Sequence, residues 1–136
     1  MEKQQEFILV SAPNKIGEAF IRQLKVHQLP FVAIVNNKGE QNRLEKLGAK
    51  NIIMVDTSEL NMWIMPNFPI GKVFLFENSL TLCCRYIQIC RNWTSEPIYV
   101  ITHSNNPRLI YKGIGASHVI HTNNDEVSFL IHSLVG

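Results

Sequence analysis

The sequence predicts an α/β fold: a doubly wound domain around a mostly parallel sheet of five or six strands. Three observations carry the prediction. Short apolar runs of strand formers alternate with helical patterns along the chain. The runs lack clean polar alternation, as in strands covered on both faces. Each connection between successive runs is long enough for the crossover that parallel strands require, and right-handed crossovers leave few alternative topologies.

Phe7 to Val10 is the first apolar run, closed by Ser11-Ala12-Pro13-Asn14. A helix is expected from about Lys15 to His27, with Ile16, Ala19, Phe20 and Leu24 as its apolar stripe. Phe31 to Val35 is the second strand and Asn36-Asn37-Lys38-Gly39 a turn. A second helix is expected from Glu40 to Leu47, closed by Gly48 as C-cap. Asn51 to Val55 is the third strand, ending in Asp56-Thr57-Ser58. Glu59 to Ile70 reads as a short helix and loop, broken by Pro66 and Pro69. Lys72 to Phe76, Pro97 to Thr102 and Ser117 to His121 are the remaining strands. Ser79 to Trp93 and Pro107 to Gly113 are the helices between them. A last helix runs to about Val135, with Asn123, Asn124 or Asp125 as its N-cap.

One internal similarity supports this order. Ile34-Val35, Gly48-Ala49 and Ile52-Ile53 recur at the same spacing as Ile101-Thr102, Gly115-Ala116 and Val119-Ile120. Both blocks read strand, helix, Gly-Ala, strand, which suits the two halves of a dinucleotide fold.

Bulk properties narrow the function classes. A chain of 136 residues suits one domain, residues 1–136, able to bury a core without disulfides or a metal. Apolar residues at 46% and charged residues at 18% place it among globular proteins. A net charge of +2 without a Lys/Arg cluster argues against a nucleic-acid partner. No apolar run approaches the ~20 residues that span a bilayer, so no membrane insertion is expected. Cys83, Cys84 and Cys90 are odd in number and crowded into one segment, which suits a reducing compartment rather than a disulfide framework. A cytoplasmic location is the resulting expectation.

The candidate site is the turn after the first strand. A strand opening into a helix N-terminus presents unpaired N–H groups to a phosphate. In the frame G-x-G-x-x-G this chain supplies Ala12, Asn14 and Gly17, so one glycine of three remains. Gly17 is expected to let the helix pack closely on the strand. Asn14 is expected to keep the turn by tolerating positive φ. Ser11, Ala12, Asn14, Lys15, Ile16 and Gly17 are therefore the candidate phosphate contacts. The second strand ends in Asn36, Asn37 and Lys38, with Arg43 beyond. An acidic ribose partner is missing there, and the cations favour the 2′-phosphate of NADP over NAD. Asp56 and Thr57 complete the candidate set. Glu77-Asn78-Ser79 and Thr102 to Asn106 lie on the same carboxyl edge, where His103 is the titratable residue singled out.

Phe7 to Glu59 resembles NAD(P)-binding Rossmann domains. Val10 to Gly17 resembles the turn of the atypical short-chain dehydrogenase (NmrA-like) group. Leu47-Gly48-Ala49, Val55 to Glu59, and Asn105-Asn106-Pro107 through Gly115 to Ile120 are similar to the nucleotide-binding regulatory domain of potassium-uptake systems, the RCK or TrkA-N type. That resemblance spans nearly the whole chain. It implies a regulatory homodimer that binds NAD(P) and does not catalyse. The catalytic Tyr-x-x-x-Lys of short-chain dehydrogenases is absent: Tyr86, Tyr99 and Tyr111 are followed at that spacing by Cys90, His103 and Gly115. Cys83 and Cys90 share one helix face and read as core. His118 and His121 point to opposite faces of a strand and make a poor metal pair. Three functions stay open: a non-catalytic nucleotide-binding or sensing domain with NAD(P) the leading ligand; a ligand-free interaction or structural protein, again a homodimer; and an NADP-dependent reductase.

Overall fold

The computed structural model describes residues 5–57, 66–103, 108–122 and 127–135. Its elements are β1 (Phe7–Ser11), α1 (Lys15–Val26), β2 (Phe31–Val35), α2 (Lys38–Leu47), β3 (Ile52–Met54), β4 (Ile70–Phe76), α3 (Leu80–Trp93), β5 (Ile98–Thr102), α4 (Arg108–Gly113), β6 (His118–His121) and α5 (Ser128–Val135). The six strands form one sheet in the order β3-β2-β1-β4-β5-β6, and every pairing is parallel. This is the doubly wound α/β fold that the alternation predicts.

Both sheet faces are covered, which is why the strands read as continuous apolar runs. Leu9, Val32, Val73 and Ile98 point to the face under α3 and α4. Val10, Ala33 and Phe74 alternate to the face under α1, α2 and α5. On that face Phe74, Tyr99 and His118 stack across three strands, with ring centroids 4.8 and 5.0 Å apart. Of the predicted stripe of α1, Ile16, Phe20 and Leu24 are buried and Ala19 is half-buried, while Ile21, not predicted, is buried with them. Cys83 and Cys90 are buried on α3, and burial pushes both thiols up.

The repeated Gly-Ala pair has a shared physical cause. Gly48 and Gly115 both take positive φ, +104° and +130°. The following amides of Ala49 and Ala116 donate back to Leu44 and Tyr111 and close the ends of α2 and α4. A cation from the preceding helix covers each end. Lys25 Nζ donates to Leu47 O at 3.0 Å, and Arg91 Nη1 donates to Gly115 O at 3.0 Å. Both place positive charge where unpaired helix carbonyls gather.

Several boundaries differ from expectation. Helix α2 starts at Lys38 rather than Glu40, because the Asn37 side chain accepts from Glu40 N at 2.8 Å and caps it. Lys38 and Gly39 thus belong to the helix. Strand β4 starts at Ile70, where Phe7 pairs with it. Ser79 is the N-cap of α3. The expected short helix within 59–65, with Ser58, the loop 104–107 and the candidate N-caps Asn123, Asn124 and Asp125, lie outside the described residues.

Candidate functional site

Strand order reverses between β1 and β4, so the ligand crevice of such a sheet opens at their carboxyl ends. The loops after β1, β2, β3 and β4 meet there.

The loop after β1 is held by its own side chains. Ser11 and Ala12 are buried, and Pro13 offers no N–H. Asn14 does not take positive φ. Its backbone is extended, φ −136° and ψ 176°, and it is the N-cap of α1. Its Oδ1 accepts from Gly17 N at 2.9 Å, and its Nδ2 donates to Glu77 O at 3.2 Å. The residue is retained for capping and bridging, so the left-handed turn expected of it is corrected. Gly17 keeps the expected role. A Cβ there would lie 2.7 Å from Ala12 Cα and 3.3 Å from Phe76 Cγ. Glu18 N donates to Asn14 O, so the first intrahelical bond falls at Glu18. The amides of Lys15 and Ile16 precede it and have no carbonyl one turn back. The Lys15 side chain is exposed, whereas Ile16 packs into the core.

The end of β2 forms a neutral amide cluster. Asn36 Nδ2 donates to Thr57 Oγ1 at 3.3 Å, and Asn37 Nδ2 donates to Asn36 Oδ1 at 2.9 Å. Asn37, Lys38 and Asp56 are exposed beside them. Arg43 does not stand over this cluster as a free cation. Its Nη2 donates to Ala12 O at 3.1 Å, and its Nε pairs with Glu18 Oε2 at 3.2 Å. The expected preference for a 2′-phosphate therefore loses one of its two cations. Glu40 turns inward: it is 9% exposed, and its Oε1 lacks a hydrogen-bond partner. Burial raises its pKa, opposed by Arg43.

The end of β4 is clamped. The Glu77 carboxylate accepts from Thr102 Oγ1 at 2.6 Å and from the buried Tyr111 hydroxyl. It ties β4, β5 and α4 together. His103, singled out on this edge by sequence, donates from Nδ1 to Thr122 O at 2.8 Å, and His121 Nε2 donates to His103 O at 3.1 Å. A carbonyl only accepts, so these bonds assign the tautomers. Between the loops after β1 and β4 lies a cavity of ≈ 10 Å³, lined by residues including Ser11, Pro13, Phe76, Asn78, Ser79 and Tyr86. That is the room of about one water. The Tyr86 hydroxyl is buried without a partner. Tyr86 and Tyr111 were not candidates by sequence, because both sit at apolar helix positions and only the fold turns them to this edge. Among the described residues no group of His, Cys, Asp and Glu suited to a metal is found.

No family model matches the chain, and no curated protein does. Solved structures do. The TrkA-N domain of inner membrane protein ybaL from Escherichia coli superposes with TM-score 0.67 at 14% identity, covering 100% of both chains. The NAD(P)-binding domain of an exopolyphosphatase-related protein from Archaeoglobus fulgidus gives 0.68 at 14% identity, over 97% of this chain and 94% of that one. This chain has the Rossmann-like fold of the TrkA-N and RCK domains. The GsuK channel bound to NAD matches at TM-score 0.67 and 14% identity over 88% of this chain, which spans 22% of the channel chain. The resemblance to the TrkA-N type thus holds at the level of fold. No helix among the described residues is long and apolar enough to cross a membrane.

Proposed function

We propose that the chain is a non-catalytic nucleotide-binding regulatory domain, with its phosphate subsite at the N-terminus of α1. The feature that carries this reading is the N-terminus of α1 at the switch point, where the amides of Lys15 and Ile16 precede the first intrahelical bond and the Lys15 side chain is exposed. Asn36, Asn37 and Thr57 supply both donors and acceptors for a sugar. Neighbours of the same fold include the GsuK channel bound to NAD and GsuK bound to ADP, which supports NAD(P) or a related nucleotide as the ligand class. Homodimerisation belongs to the same reading. The exposed Leu109 and Ile110 of α4 offer it apolar surface. A scan of thermal stability against NAD, NADP, ADP and ATP tests the proposal. A nucleotide at 100 times its Kd should stabilise the protein by about 2.7 kcal/mol. No shift with any nucleotide at millimolar concentration refutes it.

A second reading, a ligand-free interaction protein of the same fold, draws on the self-satisfied loop. Asn14 occupies the Gly17 amide and Arg43 occupies the Ala12 carbonyl. The same scan decides between the two readings.

A further inference from the structure

A second concavity lies at the opposite end of the sheet from the switch-point crevice. Helices α1 and α2 both end there, and strands β2 and β3 both begin there. Between them is a cavity of ≈ 260 Å³, against ≈ 10 Å³ for the cavity between the loops after β1 and β4. Its size suits a small metabolite, just below the usual range for drug-sized ligands. Leu29, Pro30 and Phe31 give it an apolar side, and Lys25, Lys50 and Asn51 a polar one. Among the described residues no carboxylate lines it.

The cationic groups of this cavity are available. Lys25 Nζ spends one donor on Leu47 O at 3.0 Å and keeps two. Gly48 leaves room for it, since a Cβ there would collide with that ammonium. Among the described residues, the exposed Lys50 ammonium and the Asn51 side-chain amide have no hydrogen bond or ion pair. The flanking backbone donors are already spent. The amides of Gln28, Leu29, Gly48 and Ala49 donate to the carbonyls of Lys25, Leu24, Glu45 and Leu44. These bonds also occupy helix-end carbonyls, so the two ammonium groups set the sign of the local field.

We propose that this cavity binds a small organic carboxylate with an apolar body, at a site separate from the switch-point crevice. The carboxylate sits between Lys25 and Lys50, with the Asn51 amide as a further donor. The apolar body rests on Leu29, Pro30 and Phe31. A phosphate is disfavoured, because its several oxygens call for free backbone amides or an arginine fork. The inference is independent of nucleotide binding.

Titration of the isotope-labelled full chain with phenylacetate, followed by amide NMR shifts, tests this. Saturable shifts are expected at Phe31, Gly48, Lys50 and Asn51. Phenylacetamide lacks the charge and acetate lacks the apolar body, so each should bind at least about fivefold more weakly. Lys50→Gln removes an exposed ammonium that has no partner to lose. It should weaken phenylacetate binding by about fivefold, the upper range of an exposed ion pair, with amide shifts away from the cavity unchanged. Absence of shifts at the four amides overturns the inference. So does equal binding of phenylacetamide, acetate or inorganic phosphate, or an affinity that Lys50→Gln leaves unchanged.

Discussion

Ala12 Cα lies 2.7 Å from the point where a Cβ on Gly17 would sit. Real Cβ contacts are not that short, and the opposing atom is backbone, so it cannot swing aside. Gly17→Ala should force α1 off β1 and cost about 1–3 kcal/mol, the range of overpacked cores. Urea denaturation of the variant measures it, and an unchanged midpoint would show that the helix packs otherwise.

Arg91 joins three carbonyls, Gly115 O at 3.0 Å, Thr94 O at 2.7 Å and Glu96 O at 2.6 Å. Its removal leaves the end of α4 and the turn before β5 without their shared donor. Arg91→Ala should cost about 2 kcal/mol or more. Lys25→Ala removes one exposed contact to Leu47 O and should cost under about 1 kcal/mol. Equal losses in thermal melts would contradict this ordering.

The two buried tyrosines on α3 and α4 should answer oppositely to loss of the hydroxyl. Tyr111 donates to the Glu77 carboxylate, so Tyr111→Phe should destabilise by about 1–3 kcal/mol. Tyr86 has a buried hydroxyl without a partner. Tyr86→Phe removes an uncompensated polar group and should be neutral or stabilising. A clear loss for Tyr86→Phe would reveal an ordered partner in the small cavity.

Glu40 adds a pH dependence of definite sign. Burial raises its pKa in the folded protein above the ordinary value of 4.5. The folded state then holds the proton to higher pH than the unfolded chain. This contribution is fully present below the unfolded pKa and is lost as pH rises through the folded one. Glu40→Gln should raise stability at pH 7 and flatten that decline from pH 4.5 upward. Melting temperatures of both proteins across pH 4–8 measure it, and parallel profiles would dismiss Glu40 as the source.

The thiols differ in access. Burial raises the pKa of all three thiols, but Cys83 and Cys90 are buried whereas Cys84 is only half-buried. A thiol reagent on the native protein should modify Cys84 first. Mass mapping of the first adduct checks the order.

Local signals made most of the fold legible. The stripe of α1, the paired apolar runs and the Gly-Ala repeats each report on short stretches and land near where expected, with Ile21 rather than Ala19 completing the buried face of α1. Boundaries moved where a side chain took over a backbone duty. Asn37 caps α2 two residues earlier than the turn composition suggests, because a cap is decided by one hydrogen bond. The candidate site was legible in place but not in occupancy. Asn14 was read from backbone tolerance, whereas its two bonds decide its role. Arg43 was read as a free cation, but it is spent on Ala12 and Glu18, residues 31 and 25 positions away in the chain.

The sequence by itself determined the alternation of strands and helices, the burial of both sheet faces and the need for glycine at position 17. These follow from hydrophobic period and local sterics, which act over a few residues. Only the tertiary structure decided which polar groups at the carboxyl edge are already satisfied. Asn14 meets Glu77 across 63 positions, and Glu77 meets Tyr111 across 34. Such partners are chosen by strand order, and strand order places β4 rather than β2 on the far side of the loop that holds Asn14.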